Sequence, residues 1–217
     1  MIFKPELIIF DHDGVLVDSE ILAMELLANI ASTHGVPTTI PDAFDRYLGT
    51  SFDFVVEDLR SAGAVVNRDK LHADFHTALF EEFRTRLQEI PGTSQLLSAL
   101  AADNRRVSIA SSGSRERVTL GITTTGINHF FSDSVITTAE DVKRGKPFPD
   151  LFLVTAERAG VEPQNCLVIE DSPFGIEAAS SAGMLSIGLA FRTPQDRLSA
   201  ADLVLNTPSE ILSALGM

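Results

Sequence analysis

Cysteine is almost missing from this chain of 217 residues. Cys166 stands alone, so no internal disulfide can form, and a reducing compartment is the simpler setting. Basic residues are scarce too: 17 lysines and arginines face 30 aspartates and glutamates, a net charge of −13. A body this acidic repels nucleic-acid phosphates and anionic lipid, so neither nucleic acid nor membrane is expected as a partner. An anionic substrate would then need a local device, a metal ion or a set of backbone amides, to hold it. Long apolar runs are lacking as well. The stretch Leu7 to Phe10 is too short for a signal-peptide core or a membrane span, and a cytoplasmic protein is expected. There is no internal repeat and no long linker. What remains is an ordinary globular composition, 44% hydrophobic and 22% charged, of a length that suits one large domain or two small ones.

The clearest pattern is a series of short apolar runs that stop abruptly at polar residues. Leu7 to Phe10 stops at Asp11, Val107 to Ala110 at Ser111, and Cys166 to Ile169 at Glu170 and Asp171. Leu185 to Leu189 and Leu203 to Leu205 are further runs. Continuous runs of this kind suit strands buried on both faces of a parallel sheet. Helical periodicity lies between them, at Leu96, Leu97 and Leu100, at Leu151 to Ala159, and at Ile176, Ala179 and Ala182. The alternation predicts a doubly wound α/β sheet. Residues 16–88 break that rhythm with helical patterns around Leu22 to Ile30, Phe54 to Leu59 and Leu71 to Phe83. The layout expected is an α/β core, residues 1–15 and 89–217, with an α-helical insert at 16–88.

In open α/β sheets, ligands bind beyond the carboxyl ends of the strands. Asp11, Ser111, Glu170 and Asp171 all fall there, and Lys146 joins them from the Gly145-Lys146-Pro147 turn. Asp11, Glu170 and Asp171 are hard oxygen donors suited to Mg²⁺. A carboxylate beside such a cation can stay ionised and attack phosphorus. The Ser111 hydroxyl and Lys146 ammonium would hold the phosphoryl oxygens, and Asp13, in a glycine-containing turn, is placed to protonate the leaving oxygen. Duller readings stand beside these. Asp11 and Asp13 could form a plain turn at a strand end, Ser111 could cap a helix, and Lys146 could be a solvated surface lysine. If the strand end is one residue off, Ser112 takes the place of Ser111. Cys166, in mid-strand, reads as a core thiol. His72 and His76, four apart on a helix, read as a solvated face because no third zinc ligand is evident.

Asp11-His12-Asp13-Gly14-Val15 with the following Leu16 to Glu20 resembles the first motif of the haloacid dehalogenase superfamily. Ser111 resembles its second motif, Gly145-Lys146-Pro147-Phe148-Pro149-Asp150 its third, and Glu170-Asp171-Ser172 with Gly175 its fourth. The insert resembles the small helical cap of the subgroup that holds β-phosphoglucomutase and many sugar-phosphate phosphatases. The resemblance implies a Rossmann-like core and a Mg²⁺-dependent phosphatase acting on a small phosphate ester. A phosphomutase using the same residues is the alternative. It implies that Asp11 forms an aspartyl-phosphate and that Asp13 serves as general acid and then base. Mg²⁺ would take the Asp11 carboxylate, the Asp13 carbonyl and Asp171, with Glu170 ligating directly or through water. His12 departs from the family's usual apolar or aromatic residue.

Asp13 argues against a dehalogenase, which lacks a second aspartate. A phosphonate hydrolase of this superfamily would need a cap lysine, and the surroundings of Lys70 do not match. A signalling receiver domain would be shorter, with its acidic residues in another order. The loop Gly49-Thr50-Ser51, between two predicted helices, is the candidate for recognising the leaving alcohol; a simple connecting turn is the alternative. A monomer or weak homodimer is expected.

Overall fold

A computed structural model describes residues 4–132 and 135–217. Six strands form one parallel sheet: β1 (Leu7–Phe10), β2 (Arg106–Ser111), β3 (Ile136–Thr138), β4 (Cys166–Glu170), β5 (Leu185–Leu189) and β6 (Leu203–Leu205). Their spatial order is β3-β2-β1-β4-β5-β6, the doubly wound arrangement that the apolar runs predict. Every side chain of β1 and β4 is buried, because both are inner strands covered on two faces. Leu7 and Ile9 of β1 share one face with Cys166 and Val168 of β4, as the two-residue period requires. That face packs against α7 (Asp150–Ala159), through Leu151, Phe152 and Ala156, and against α8 (Pro173–Ser181), through Ala178 and Ala179. Burial pushes the Cys166 thiol up to about 11, so it is a core thiol, as expected.

The chain divides into two compact units, residues 1–18 with 88–217, and residues 19–87. The expected insert began at 16, but residues 16–18 stay with the sheet unit. There the Asp18 N–H donates to the Gln88 carbonyl and the Ile90 N–H to the Leu16 carbonyl, at 2.9 and 3.1 Å. The second unit holds α1 (Ser19–Thr33), α2 (Ile40–Tyr47), α3 (Phe52–Ser61) and α4 (Arg68–Arg86). Its interior is built on Leu27, Tyr47, Leu59, Leu79 and Phe83, all at most 5% exposed. The Tyr47 hydroxyl donates to Asp58 Oδ2 at 2.7 Å. Three of its helices start on a side-chain cap: Thr39, Ser51 and Asn67 each accept the backbone N–H three residues on. His72 and His76 on α4 are half-buried rather than solvated. Their rings lie 4.4 Å apart, and Phe52 meets His72 edge-on.

The remaining helices are α5 (Thr93–Ala102), α6 (Arg115–Thr124) and α9 (Pro208–Ala214). β3 and α6 had no sequence signature of their own: one has three residues, and the other mixes threonine and glycine into its turns. Among the described residues no helix is long and apolar enough to cross a membrane.

Candidate active site

β1 delivers Asp11 to the crevice. Its N–H donates to the Ile169 carbonyl at 2.9 Å, which carries the ladder one step past the strand and fixes Asp11 beside the end of β4. The chain then turns on Gly14, where the Leu16 and Val17 N–H groups both donate to the His12 carbonyl. Gly14 has φ +74°, and a Cβ there would stand 1.9 Å from Asp171 Oδ2. Only glycine meets both demands, and its bare Cα lets the Asp171 carboxylate lie against the turn.

Ser111 is the last residue of β2 and 1% exposed, whereas Ser112 is exposed. The strand end therefore falls on Ser111, not on its neighbour. Its Oγ accepts the Gly113 N–H at 3.0 Å, which leaves its own O–H to donate. Glu170 closes β4 and is 1% exposed.

Lys146 ties three strand ends together. Its ammonium donates to Asp11 Oδ1 at 2.5 Å, to Glu170 Oε1 at 2.6 Å and to the Ala110 carbonyl at 3.2 Å. Its side chain is 5% exposed, which removes the solvated-lysine reading. The other Glu170 oxygen accepts the Ser172 N–H at 2.6 Å, and Gly175 makes room, since a Cβ there would overlap Oε1. Both Glu170 oxygens are thus engaged in orienting Lys146 and the turn into α8. Burial pushes the Asp11 carboxyl up to about 7; Lys146 pulls it down, and Glu170 adds to the rise. Burial disfavours the Lys146 charge, but Asp11 and Glu170 outweigh it and raise the ammonium above its ordinary value.

Asp13 is held by a residue the sequence reading did not find. Arg117, in the first turn of α6, donates Nη2 to Oδ1 at 2.8 Å and Nε to Oδ2 at 3.1 Å. Burial pushes the Asp13 carboxyl up, but Arg117, and after it His12, bring it well below the usual carboxylate range. His12 is fully buried. Its Nδ1 lies 3.3 Å from Asp13 Oδ2 without hydrogen-bond alignment, and neither ring nitrogen has a hydrogen-bond partner among the described residues. No sequence signal could have found Arg117, because its contact spans 104 residues and starts from a helix with no clear periodicity.

The donor chemistry of the crevice fits Mg²⁺, which binds through one or two carboxylates and keeps several waters. Asp11 and Asp171 are hard oxygen donors only 7% and 8% exposed, and the bare Gly14 lets one approach the turn that carries the other. Gly49, Thr50 and Ser51 lie in the second unit. Thr50 Oγ1 donates to the Tyr47 carbonyl at 2.9 Å, and Ser51 Oγ accepts the Phe54 N–H at 3.2 Å, so both hydroxyls also serve helix ends.

Carboxylates gathered about a buried lysine at the carboxyl ends of a parallel sheet stand where open α/β enzymes bind their ligands. The comparisons narrow the class. The chain belongs to the haloacid dehalogenase-like hydrolase family, whose model matches residues 8–189. It is similar to the phosphorylated carbohydrates phosphatase of Thermotoga maritima, at 30% identity over 97% of this chain and 98% of that protein. Among solved structures, a conserved haloacid dehalogenase-like protein of Agrobacterium tumefaciens superposes with a TM-score of 0.88 at 31% identity, covering 97% of each chain. A family hydrolase of Deinococcus radiodurans, solved with bound phosphate and sodium, gives 0.83 at 28% identity, over 99% of this chain and 96% of that one. The chain is a phosphoric monoester hydrolase of the subgroup that holds β-phosphoglucomutase and the sugar-phosphate phosphatases.

Proposed function

We propose that this enzyme hydrolyses a small phosphorylated carbohydrate or related monoester through a phosphoryl group carried on Asp11. The observation that carries the reading is the Lys146 ammonium joined to Asp11, Glu170 and the end of β2. It puts a nucleophilic carboxylate and a full positive charge within one hydrogen bond of each other. The substrate class follows the Thermotoga relative, whose name states phosphorylated carbohydrates.

In the first half-reaction Asp13 takes a proton from solvent, an Asp11 oxygen attacks phosphorus, the bond from phosphorus to the leaving oxygen breaks, and Asp13 passes its proton to that oxygen. The Ser111 hydroxyl and Lys146 hold the phosphoryl oxygens. In the second, water attacks phosphorus, its proton passes to Asp13, and the bond from Asp11 to phosphorus breaks. Asp13 ends protonated again and returns that proton to solvent, and the sum is ester plus water to alcohol plus phosphate. The Asp11 carboxylate, the Asp13 carbonyl and Asp171 would hold Mg²⁺, which when bound offsets the phosphoryl charge. Glu170 acts through Lys146 rather than as a ligand of its own. Every group named here serves the phosphoryl group, so recognition of the alcohol falls to the helical insert, a cap in function, with Gly49, Thr50 and Ser51 as its candidate loop.

The test pairs metal removal with two substitutions. Chelator abolishes phosphate release and added Mg²⁺ restores it. Asp11→Asn forms no phosphoenzyme, whereas Asp13→Asn still forms it from an aryl phosphate, whose leaving group needs no proton. Near-normal turnover by Asp11→Asn, or undiminished turnover in chelator, refutes the reading.

A further inference from the structure

The Asp13 carboxylate has a guanidinium on both oxygens. Arg117 Nη2 reaches Oδ1 at 2.8 Å, and Nε lies 3.2 Å from Oδ1 and 3.1 Å from Oδ2. The two side chains are only 18% and 21% exposed, so water screens the pair weakly. The clasp is also built. The Arg117 N–H is bonded to the Ser114 cap at 3.2 Å, which fixes the arginine in the first turn of α6. Its side chain then passes Gly113 so closely that a Cβ there would stand 3.2 Å from Arg117 Cδ and 3.3 Å from Ser111 Oγ. A glycine clears the path from α6 to Asp13 along the turn that carries Ser111.

A carboxyl group that is to protonate a leaving alcohol must turn an oxygen toward it. With both oxygens accepting from Arg117, each spends a lone pair on the guanidinium, and an oxygen that takes up a proton gives up part of that clasp. We propose that Arg117 is a positioning residue that latches the Asp13 carboxylate in the resting enzyme, so that its release, and the uptake of a proton from solvent that release permits, are separate steps before proton donation. The inference rests on Asp13 acting as the general acid, as described above. What opens the latch is an exchange of anions. Lys146 is already committed to Asp11 and Glu170, whereas the Arg117 side chain runs beside Ser111, where the phosphoryl group is held. An arriving phosphoryl dianion competes with Asp13 for the guanidinium. The Asp13 carboxylate is then let go, free to take up the proton it will donate, only once a substrate is seated.

The test compares two substrates on the Mg²⁺-loaded enzyme: glycerol phosphate, whose alkoxide needs a proton, and 4-nitrophenyl phosphate, whose phenolate does not. The measured quantity is the ratio of kcat/KM for the first to that for the second, which cancels any loss in phosphate binding common to both. In Arg117→Met the ratio rises about tenfold, the worth of one charge-assisted hydrogen bond no longer broken in each turnover. In the double variant Arg117→Met/Asp13→Asn the rise disappears, because it acts through Asp13. Arg117→Gln, which keeps polar atoms at the site, serves the same comparison if the methionine variant is unstable. An unchanged or lowered ratio overturns the latch, since a structural arginine would slow both substrates alike. Asp13→Asn alone separates the two ideas. If it leaves the ratio untouched, Asp13 is not the acid and the proposed function fails; if it lowers the ratio while Arg117→Met does not raise it, only the latch fails.

Discussion

Asp11 lies 2.5 Å from an ammonium group, yet burial still carries its carboxyl up to about 7. Lys146 alone does not offset the loss of water, because Glu170 shares the same ammonium. In the proposed reaction the attacking form is the carboxylate, and a raised value means that the neutral acid dominates below about 7. At limiting Mg²⁺, kcat/KM therefore falls as the pH drops through neutrality. A second positive charge beside Asp11 favours the ionised form, so saturating Mg²⁺ shifts that acid limb to lower pH. Profiles of kcat/KM against pH at low and high Mg²⁺ check this, and superimposable limbs would mean that the cation does not sit against Asp11.

Between elements, Asp141 joins an edge strand to two helices. Its Oδ2 accepts the Thr138 N–H at the end of β3, at 2.8 Å, and Arg115 from α6 at 2.9 Å. Its Oδ1 accepts Arg158 from α7 at 2.8 Å. A three-residue edge strand is thereby fastened to two helices by charge-assisted bonds rather than by its own short ladder. Arg158 chiefly, with burial opposing it and Thr138 adding to it, holds the Asp141 carboxyl far below its ordinary 3.8. For a lowered carboxylate the stabilisation is present above that ordinary value and is lost as the pH falls below it. Asp141 is 17% exposed, so the pair energies are only partly screened. Asp141→Asn should cost about 1–3 kcal/mol at pH 7, a drop in Tm of several degrees, and less at pH 3. Equal losses in thermal melts at both pH values would show that the carboxylate's charge is not what holds β3.

For the whole molecule, the proposed division of labour follows its two units. The sheet unit carries every residue assigned to the phosphoryl group, so substrate choice is expected from the helical one. Thr50→Ala/Ser51→Ala tests this against their other role, since both hydroxyls also finish helix ends and their loss should cost about 1–2 kcal/mol of stability. If the loop reads the alcohol, kcat/KM for phosphorylated carbohydrates falls and their ranking changes, while acetyl phosphate, which offers little to recognise, is nearly unaffected. Equal losses on both substrates would leave the loop a connecting turn.

Much of this was already legible in the sequence. Leu7 to Phe10 and Cys166 to Ile169 are apolar throughout because an inner parallel strand has no wet face, and each run ends where chemistry begins. The positions of Asp11, Ser111, Glu170 and Asp171 at the carboxyl ends of strands follow from that one pattern. Other features needed the folded chain. β3 is too short to show a period, and the role of Glu170 depended on which neighbours took its two oxygens. The clasp of Arg117 on Asp13 joins residues 104 apart. Burial along a strand is written locally, residue after residue, and can be read from the sequence. Which arginine meets which aspartate is decided only when α6 packs beside the sheet, and no local run of residues encodes that meeting.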